Sequence, residues 1–311
     1  MNKIELEKIH QRIKPYVHNT PVLTSQIINK LCDAEVYFKC ENFQKMGAFK
    51  MRGAVNAILC LNKEQKSKGV VTHSSGNFAQ ALSLASKYLD VDAYIVMPKN
   101  APKVKKAAVR SYGGIIIESD STITARETMA QKIQNEKGAT FIHPSNDNQV
   151  IYGQGTAAIE LLKEHDDLDY IMAPIGGGGL IAGTILAAEN YSNRCKVIGT
   201  EPAEVDDAYR SLKSGKIELN NSFNTIADGL RTYLGSNNFP IIQQYIQEII
   251  CVDESEIIEA MKFVWERMKI VIEPSSAVPV AALIQNKEKF KNKKIGIIIS
   301  GGNVDLSQLP F

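Results

Sequence analysis

Lys50 stands between Phe49 and Met51, where a helix running toward Leu61 should begin. A helix N-terminus carries partial positive charge and apolar neighbours disfavour an ammonium, so both push this amine toward its neutral form. A neutral lysine amine can form a Schiff base with an aldehyde cofactor, although an isolated lysine is more simply a surface cation. A second candidate is the run Gly176-Gly177-Gly178-Gly179, followed at once by a helical-looking stretch from Leu180. Backbone N–H groups exposed at such a helix start suit a phosphate. The loop also admits another reading: Gly177, Gly179 and Ala182 match G-x-G-x-x-A, and Glu201 stands where a ribose-binding acid would follow. A dinucleotide, another phosphate ligand and a tight turn with no ligand are all compatible with it.

These residues lie in segments that follow short β-rich runs. The strand candidates are 36–40, 70–72, 93–97, 115–117, 140–142, 170–173, 197–199, 249–252 and 295–299, and helical stretches such as 78–88, 103–112, 124–135, 155–164 and 180–190 alternate with them. Strand and helix in alternation imply an α/β fold with mostly parallel sheets covered by helices on both faces. Nine strands exceed one ordinary doubly wound domain, so two open, twisted sheets are expected. Breaks near 62–69 and 143–152 divide the chain into a large domain, 1–68 with 148–311, and a small inserted domain, 69–147. In such sheets ligands bind beyond the carboxyl ends of the strands. His73-Ser74-Ser75-Gly76-Asn77, the four glycines, Glu201-Pro202 with Asp206-Asp207, and Ser300-Gly301-Gly302-Asn303 all fall there. Ile257, Ile258, Met261, Val264, Trp265 and Met268 share one helical face, which makes Trp265 a core residue.

Composition narrows the function further. The 311 residues carry 36 Lys and Arg against 34 Asp and Glu, a net charge of +2, which excludes a strongly basic nucleic-acid binder. Lys287 to Lys294 is lysine-rich but reads as a solvated loop. No stretch approaches the ~18 apolar residues of a membrane span, and the N-terminus lacks a signal-peptide core, so a cytoplasmic enzyme is expected. Five scattered cysteines, never spaced C-x-x-C, read as reduced thiols, most of them in the core.

Taken in order, MGAFKMRGA, THSSGN, GQGTAA, IGGGGLIAG, TIADG, ERMKIVIEPS and IIISGGNVD resemble the fold-type II pyridoxal-phosphate (PLP) enzymes, tryptophan synthase β-like in fold. Within them the likeness is to the serine racemase branch of the serine and threonine dehydratases. The resemblance implies that Lys50 carries PLP, Phe49 stacks on its ring, Asn77 binds the ring hydroxyl oxygen, Gly176, Gly177, Gly178 and Gly179 cradle the phosphate, and Ser300 meets the pyridine nitrogen. A hydroxyl there, unlike a carboxylate, does not keep that nitrogen protonated, so the cofactor is a tempered electron sink. Ser75 would face Lys50 across the substrate, giving two bases on opposite sides of Cα. Ser74, Ser75, Gly76, Asn77 and Arg126 would hold the substrate carboxylate.

The activity so implied is interconversion of L-serine and D-serine, with β-elimination of serine to pyruvate and ammonia. Alternatives are a threo-3-hydroxyaspartate dehydratase or a catabolic serine/threonine dehydratase, and more remotely an NAD-dependent dehydrogenase. The resemblance further implies a Mg²⁺ or Ca²⁺ site at Glu201, Val205 and Asp207, which by spacing alone would be a solvated helix start. It also implies a homodimer and an ATP effector site mapping onto Glu7, Ser25, Gln26, Ile27, Lys45, Met46, Gln80, Tyr112, Lys269 and Asn303. Two positions depart from many relatives: Ala48 replaces a serine, and Phe78 replaces the histidine of GNHG or GNHA. Both bear on the balance between racemisation and elimination.

Overall fold

The computed structural model describes all 311 residues. Its ten strands are β1 Val22–Thr24, β2 Glu35–Cys40, β3 Val70–His73, β4 Ala93–Pro98, β5 Ile115–Ser119, β6 Thr140–Phe141, β7 Tyr170–Pro174, β8 Lys196–Pro202, β9 Glu248–Val252 and β10 Lys294–Ile299. They form a six-stranded sheet in the order β1-β2-β10-β7-β8-β9 and a four-stranded sheet in the order β5-β4-β3-β6. Every pairing is parallel except β1 with β2. The nine expected strands are all present. β1 is additional: three residues long and partly exposed, it carries too little alternation to be seen in the sequence.

The central strands explain why the rest were visible. Ile295, Ile297, Ile298 and Ile299 of β10 are fully buried, as are Val36 and Phe38 of β2. A strand covered by helices on both sides reads as an unbroken apolar run. Two expectations need correcting. The helix foreseen at 155–164 spans Asn148–Glu164, because Asp147 caps it by accepting from the Gln149 and Val150 amides, so the preceding loop ends at Asp147. Trp265 is half-buried at the rim of the core, its indole N–H donating to the Ile272 carbonyl at 3.0 Å and its ring edge-on to Phe311.

Lys289, Lys291 and Lys294 pair with Glu248, Asp33 and Asp167, which fits the reading of that lysine run as a solvated structural loop. All five cysteines are free; Cys32, Cys40 and Cys195 are buried, whereas Cys60 is exposed.

A buried ionic cluster locks the helix Lys50–Leu59 in place. Arg52 donates to both oxygens of Glu41 at 2.7 and 2.8 Å and to both oxygens of Glu160 at 2.8 and 2.7 Å. Lys39 meets Glu160 at 2.7 Å. The helix crosses Asn148–Glu164 so closely that a Cβ on Gly153 would stand 2.7 Å from the Arg52 carbonyl oxygen. Lys50, two residues before Arg52, therefore starts from a fixed turn.

Candidate active site

The segment before Lys50 is knitted to residues 250 positions away. Ala48 bridges Gly301, the Phe49 amide donates to the Ser300 carbonyl at 3.0 Å, and the Gly302 amide donates to the Gly47 carbonyl at 2.9 Å. The Glu273 amide donates to the Gly301 carbonyl at 3.0 Å, drawing a third loop into the same floor.

Lys50 is the first residue of its helix, with Phe49 at the cap. Its Nζ donates to the Pro144 carbonyl at 2.9 Å and sits 5.0 Å from the Phe49 ring centre and 5.8 Å from that of Phe78. Burial holds the amine down to about 8, against the opposing pull of the Glu273 charge. Phe78 thus places a buried apolar ring beside the amine.

Gly176–Gly179 link β7 to the helix Gly179–Tyr191. Gly178 has φ +79°, the left-handed region that favours glycine. All four residues are buried, yet the amides of Gly177, Gly178 and Gly179 donate to no acceptor in the chain. Three N–H groups held inside the fold at a helix N-terminus form a cradle for a phosphate. Its walls are close: a Cβ on Gly177 would stand 2.3 Å from Ser145 Oγ, and one on Gly178 would stand 2.5 Å from Asn238 Oδ1. Asn238 pins the loop by donating to the carbonyls of Gly177 at 2.7 Å and Ser145 at 3.1 Å.

Asn77 opens the helix Asn77–Tyr88, and its amide N–H₂ reaches both oxygens of Glu273 at 3.0 Å. Asn303 completes the triangle by donating to Asn77 Oδ1 at 2.9 Å. Glu273 is almost fully buried, and burial pushes its carboxyl up to about 7. Ser300 is buried with its hydroxyl 2.8 Å from that of Ser276. Ser74 and Ser75 are half-buried in the bend after β3, and the Ser75 hydroxyl makes no hydrogen bond. Arg126 lies on the helix Ile123–Lys137; burial, then the Arg126 charge, holds the nearby His73 imidazole below its ordinary value. His143 Nδ1 accepts from the amides of Ser145 and Asn146 at 3.1 and 2.9 Å, which assigns the ring proton to Nε2. Burial, then His73 and Lys50, push His143 down to about 4.

Glu273, Asn238, Ser145, Ser276 and His143 are the parts the sequence reading missed. Glu273 had a signal, an acid immediately before the proline in IVIEPS; the others are common residues that only folding brings to the floor.

Glu201 and Asp207 are fully buried without a cationic partner. Glu201 accepts from the amides of Ala208 and Tyr209 at 3.1 and 2.9 Å, and Asp207 accepts from Asn220 Nδ2 at 2.8 Å and the Leu234 amide at 3.2 Å. Burial, reinforced by the Asp207 charge, drives the Glu201 carboxyl well up; burial pushes Asp207 up to about 7. Between them the Val205 carbonyl accepts no hydrogen bond. Two buried carboxylates and an open carbonyl form an all-oxygen donor set that fits a hard divalent cation. No group of three or more His, Cys, Asp and Glu side chains in the chain is arranged to hold a metal ion, so a cation here would rest on two carboxylates and backbone oxygen.

Of the ten positions expected for a nucleotide, the structure joins Met46 to Asn303, whose Nδ2 donates to the Met46 carbonyl at 2.9 Å. Lys45 Nζ lies 4.8 Å over the Tyr88 ring, Gln80 is buried, and Ser25 caps the helix Gln26–Cys32, exposing Ile27. Tyr112 ends the helix Lys103–Ser111, and Lys269 ends Glu254–Met268 with φ +60°. Glu7 is bonded instead to Lys163, Tyr191 and Gln11, and no contact links it to the rest of the set.

Residues 13–301 match the family described as pyridoxal-phosphate dependent enzyme. The chain is 51% identical to a serine racemase of Dictyostelium discoideum, over 98% of this chain and 95% of that protein. It is 47% identical to a beta-hydroxyaspartate dehydratase of Paracoccus denitrificans, over 97% and 96%. A crystal structure of the Dictyostelium serine racemase superimposes with a TM-score of 0.94 over 98% of this chain and 99% of that one, and maize serine racemase, 46% identical, with 0.96 over 98% and 94%. The chain belongs to the pyridoxal-phosphate-dependent enzymes of fold type II, as a homologue of the serine racemases.

Proposed function

We propose that this protein is a PLP-dependent serine racemase that also converts serine by β-elimination to pyruvate and ammonia, the water expelled in the elimination being taken up again as the aminoacrylate hydrolyses. The observation that carries the reading is a lysine amine held near neutrality between two aromatic rings, in a fold that also presents three partnerless amides to a phosphate. When bound, PLP supplies an electron sink for the pair left behind when the substrate Cα loses its proton.

The chain's own groups do the rest. Lys50 binds the cofactor covalently and moves the Cα proton on one face. The glycine amides hold the phosphate, Phe49 covers the ring, and Asn77, steadied by Glu273 and Asn303, orients the ring oxygen. The Ser300 hydroxyl meets the ring nitrogen. Ser75 moves a proton on the opposite face, and the Ser74–Asn77 bend with Arg126 holds the substrate carboxylate. The packing around Lys50 disfavours its charged form and so eases release of its proton. Glu201, the Val205 carbonyl and Asp207 hold Mg²⁺ or Ca²⁺, and the nucleotide positions accept ATP between the subunits of a homodimer. Residues 69–147 act as the smaller domain against 1–68 and 148–311, and the enzyme works in the cytoplasm.

A second reading is favoured by one feature: Arg126 beside His73 offers a cation for a β-carboxylate, as a threo-3-hydroxyaspartate dehydratase requires. Incubation with L-serine, D-serine, L-threonine and threo-3-hydroxyaspartate separates the two, following the opposite enantiomer by chiral chromatography and keto acid by a coupled assay. Both products from serine are expected; keto acid from hydroxyaspartate alone overturns the first reading. Ser75→Ala is expected to abolish racemisation and D-serine turnover while retaining part of L-serine elimination. Equal loss with both enantiomers removes Ser75 from its role.

A further inference from the structure

The segment 229–234 forms the outer wall of the glycine cradle. A Cβ on Gly176 would stand 3.0 Å from both the Gly229 carbonyl oxygen and Leu230 Cα, and one on Gly178 would stand 2.8 Å from Leu234 Cδ2. The same segment is tied to Asp207 twice. Leu234 donates its amide to Asp207 Oδ2, and Asn220 spans Asp207 Oδ1 at 2.8 Å and the Thr232 carbonyl at 2.9 Å with its two N–H bonds. Both donors of Asn220 are thereby used, which fixes the orientation of its amide. Its Oδ1 is left sealed from solvent with no partner, beside a carboxylate that is itself without a cation. An oxygen in that position lacks a donor or a metal ion.

We infer that Asn220 couples cation occupancy at Glu201, Val205 and Asp207 to the grip of the glycine cradle on the cofactor phosphate. The inference rests on the cation reading of those three residues. A cation, or water bound to it, satisfies Asn220 Oδ1 and Asp207 together, and the Asn220 N–H₂ carries that constraint to Thr232. The wall then stands fixed against Gly176–Gly178. Coupling between two sites is reciprocal, so the cation tightens cofactor binding and the cofactor tightens cation binding by the same factor.

The test follows loss of the cofactor's visible absorption from diluted holoenzyme in EDTA and in saturating Mg²⁺, with cation binding measured separately by Tb³⁺ luminescence. Wild-type holoenzyme is expected to lose cofactor at least about fivefold more slowly in Mg²⁺, the lower end of ordinary coupling. Asn220→Ala, and the isosteric Asn220→Asp, which keeps an oxygen but cannot donate to Thr232, are expected to bind Tb³⁺ while the Mg²⁺ effect falls below about twofold. A merely structural role speeds loss equally in both media, and a folded variant that keeps the full Mg²⁺ ratio overturns the inference. Wild-type protein that binds Tb³⁺ but shows no Mg²⁺ effect overturns the coupling alone. Failure of the wild type to bind Tb³⁺ overturns the cation reading with it.

Discussion

Two buried charged clusters stand in one large sheet unit and are built on opposite principles. Around Arg52, two cations and two carboxylates neutralise each other inside the chain: Lys39, Arg52 and Glu41 have no exposure, and Glu160 has 9%. Burial alone would raise the Glu160 carboxyl, but Arg52 and then Lys39 hold it below the ordinary range. Around Glu201 and Asp207 no cation makes an ion pair, the Arg210 charge acts on Asp207 only from a distance, and both carboxyls are pushed up. The contrast recurs between two lysines. Lys39 meets Glu160 and donates to the Thr20 carbonyl at 2.6 Å, whereas the Lys50 amine has only the Pro144 carbonyl and falls to about 8. Charge that the chain satisfies for itself acts as scaffold. Charge left unanswered is what the proposed cofactor and cation would complete.

That division is open to attack from both sides. Lys50→Ala is expected to lower turnover at least ~1000-fold and abolish the borohydride-sensitive visible band, with melting unchanged or raised because an unpaired buried amine is removed. Persistence of the band would show that another lysine holds the cofactor. Arg52→Ala leaves Glu41 and Glu160 buried without their main partner and is expected to destabilise the fold by about 3–5 kcal/mol in urea denaturation. Melting shifts of similar size in the two variants would erase the distinction between scaffold and site.

Chelation probes the acidic pair. A cation present at a hundred times its dissociation constant contributes about 2.7 kcal/mol, so EDTA is expected to lower the melting temperature and added Mg²⁺ or Ca²⁺ to restore it. Without cation, the folded protein binds protons at Asp207 more tightly than the unfolded chain does. Stability contributed by that protonation is then complete below the ordinary value of 3.8 and is lost as pH rises through about 7. Glu160 gives the opposite slope, its contribution present above 4.5 and lost as pH falls below it. EDTA-treated protein is therefore expected to gain stability from pH 7.5 to 5.5 relative to its Mg²⁺-loaded form. Parallel pH profiles in the two states would remove the acidic pair from the cation site.

The sequence revealed much of the fold because the physics of parallel sheets is local: strands such as Ile295–Ile299 are apolar throughout, and turns between them carry glycine and serine. It revealed Lys50 and the glycine run for the same reason, since each is a contiguous pattern. It did not reveal the Arg52 cluster, whose members lie at 39, 41, 52 and 160, or the Ser145 and Asn238 clamp on the glycine loop. Those partners have unremarkable neighbours, and their pairing is created only when helices and sheets close. The rim position of Trp265 has the same origin, because periodicity names a helical face without fixing how deeply each end of it is buried.

β10 lies between β2 and β7, although in chain order it follows both. During synthesis the strands on either side exist long before the one that joins them, so β2 and β7 must wait with unpaired edges turned toward the gap. Such edges are prone to wrong pairing, and closing so long a loop is slow. Residues 47–49 also find their partners only at 300–302. The nascent chain therefore cannot finish the floor under Lys50 while those residues are still inside the ribosome, and cofactor capture waits for residues 300–302 to emerge.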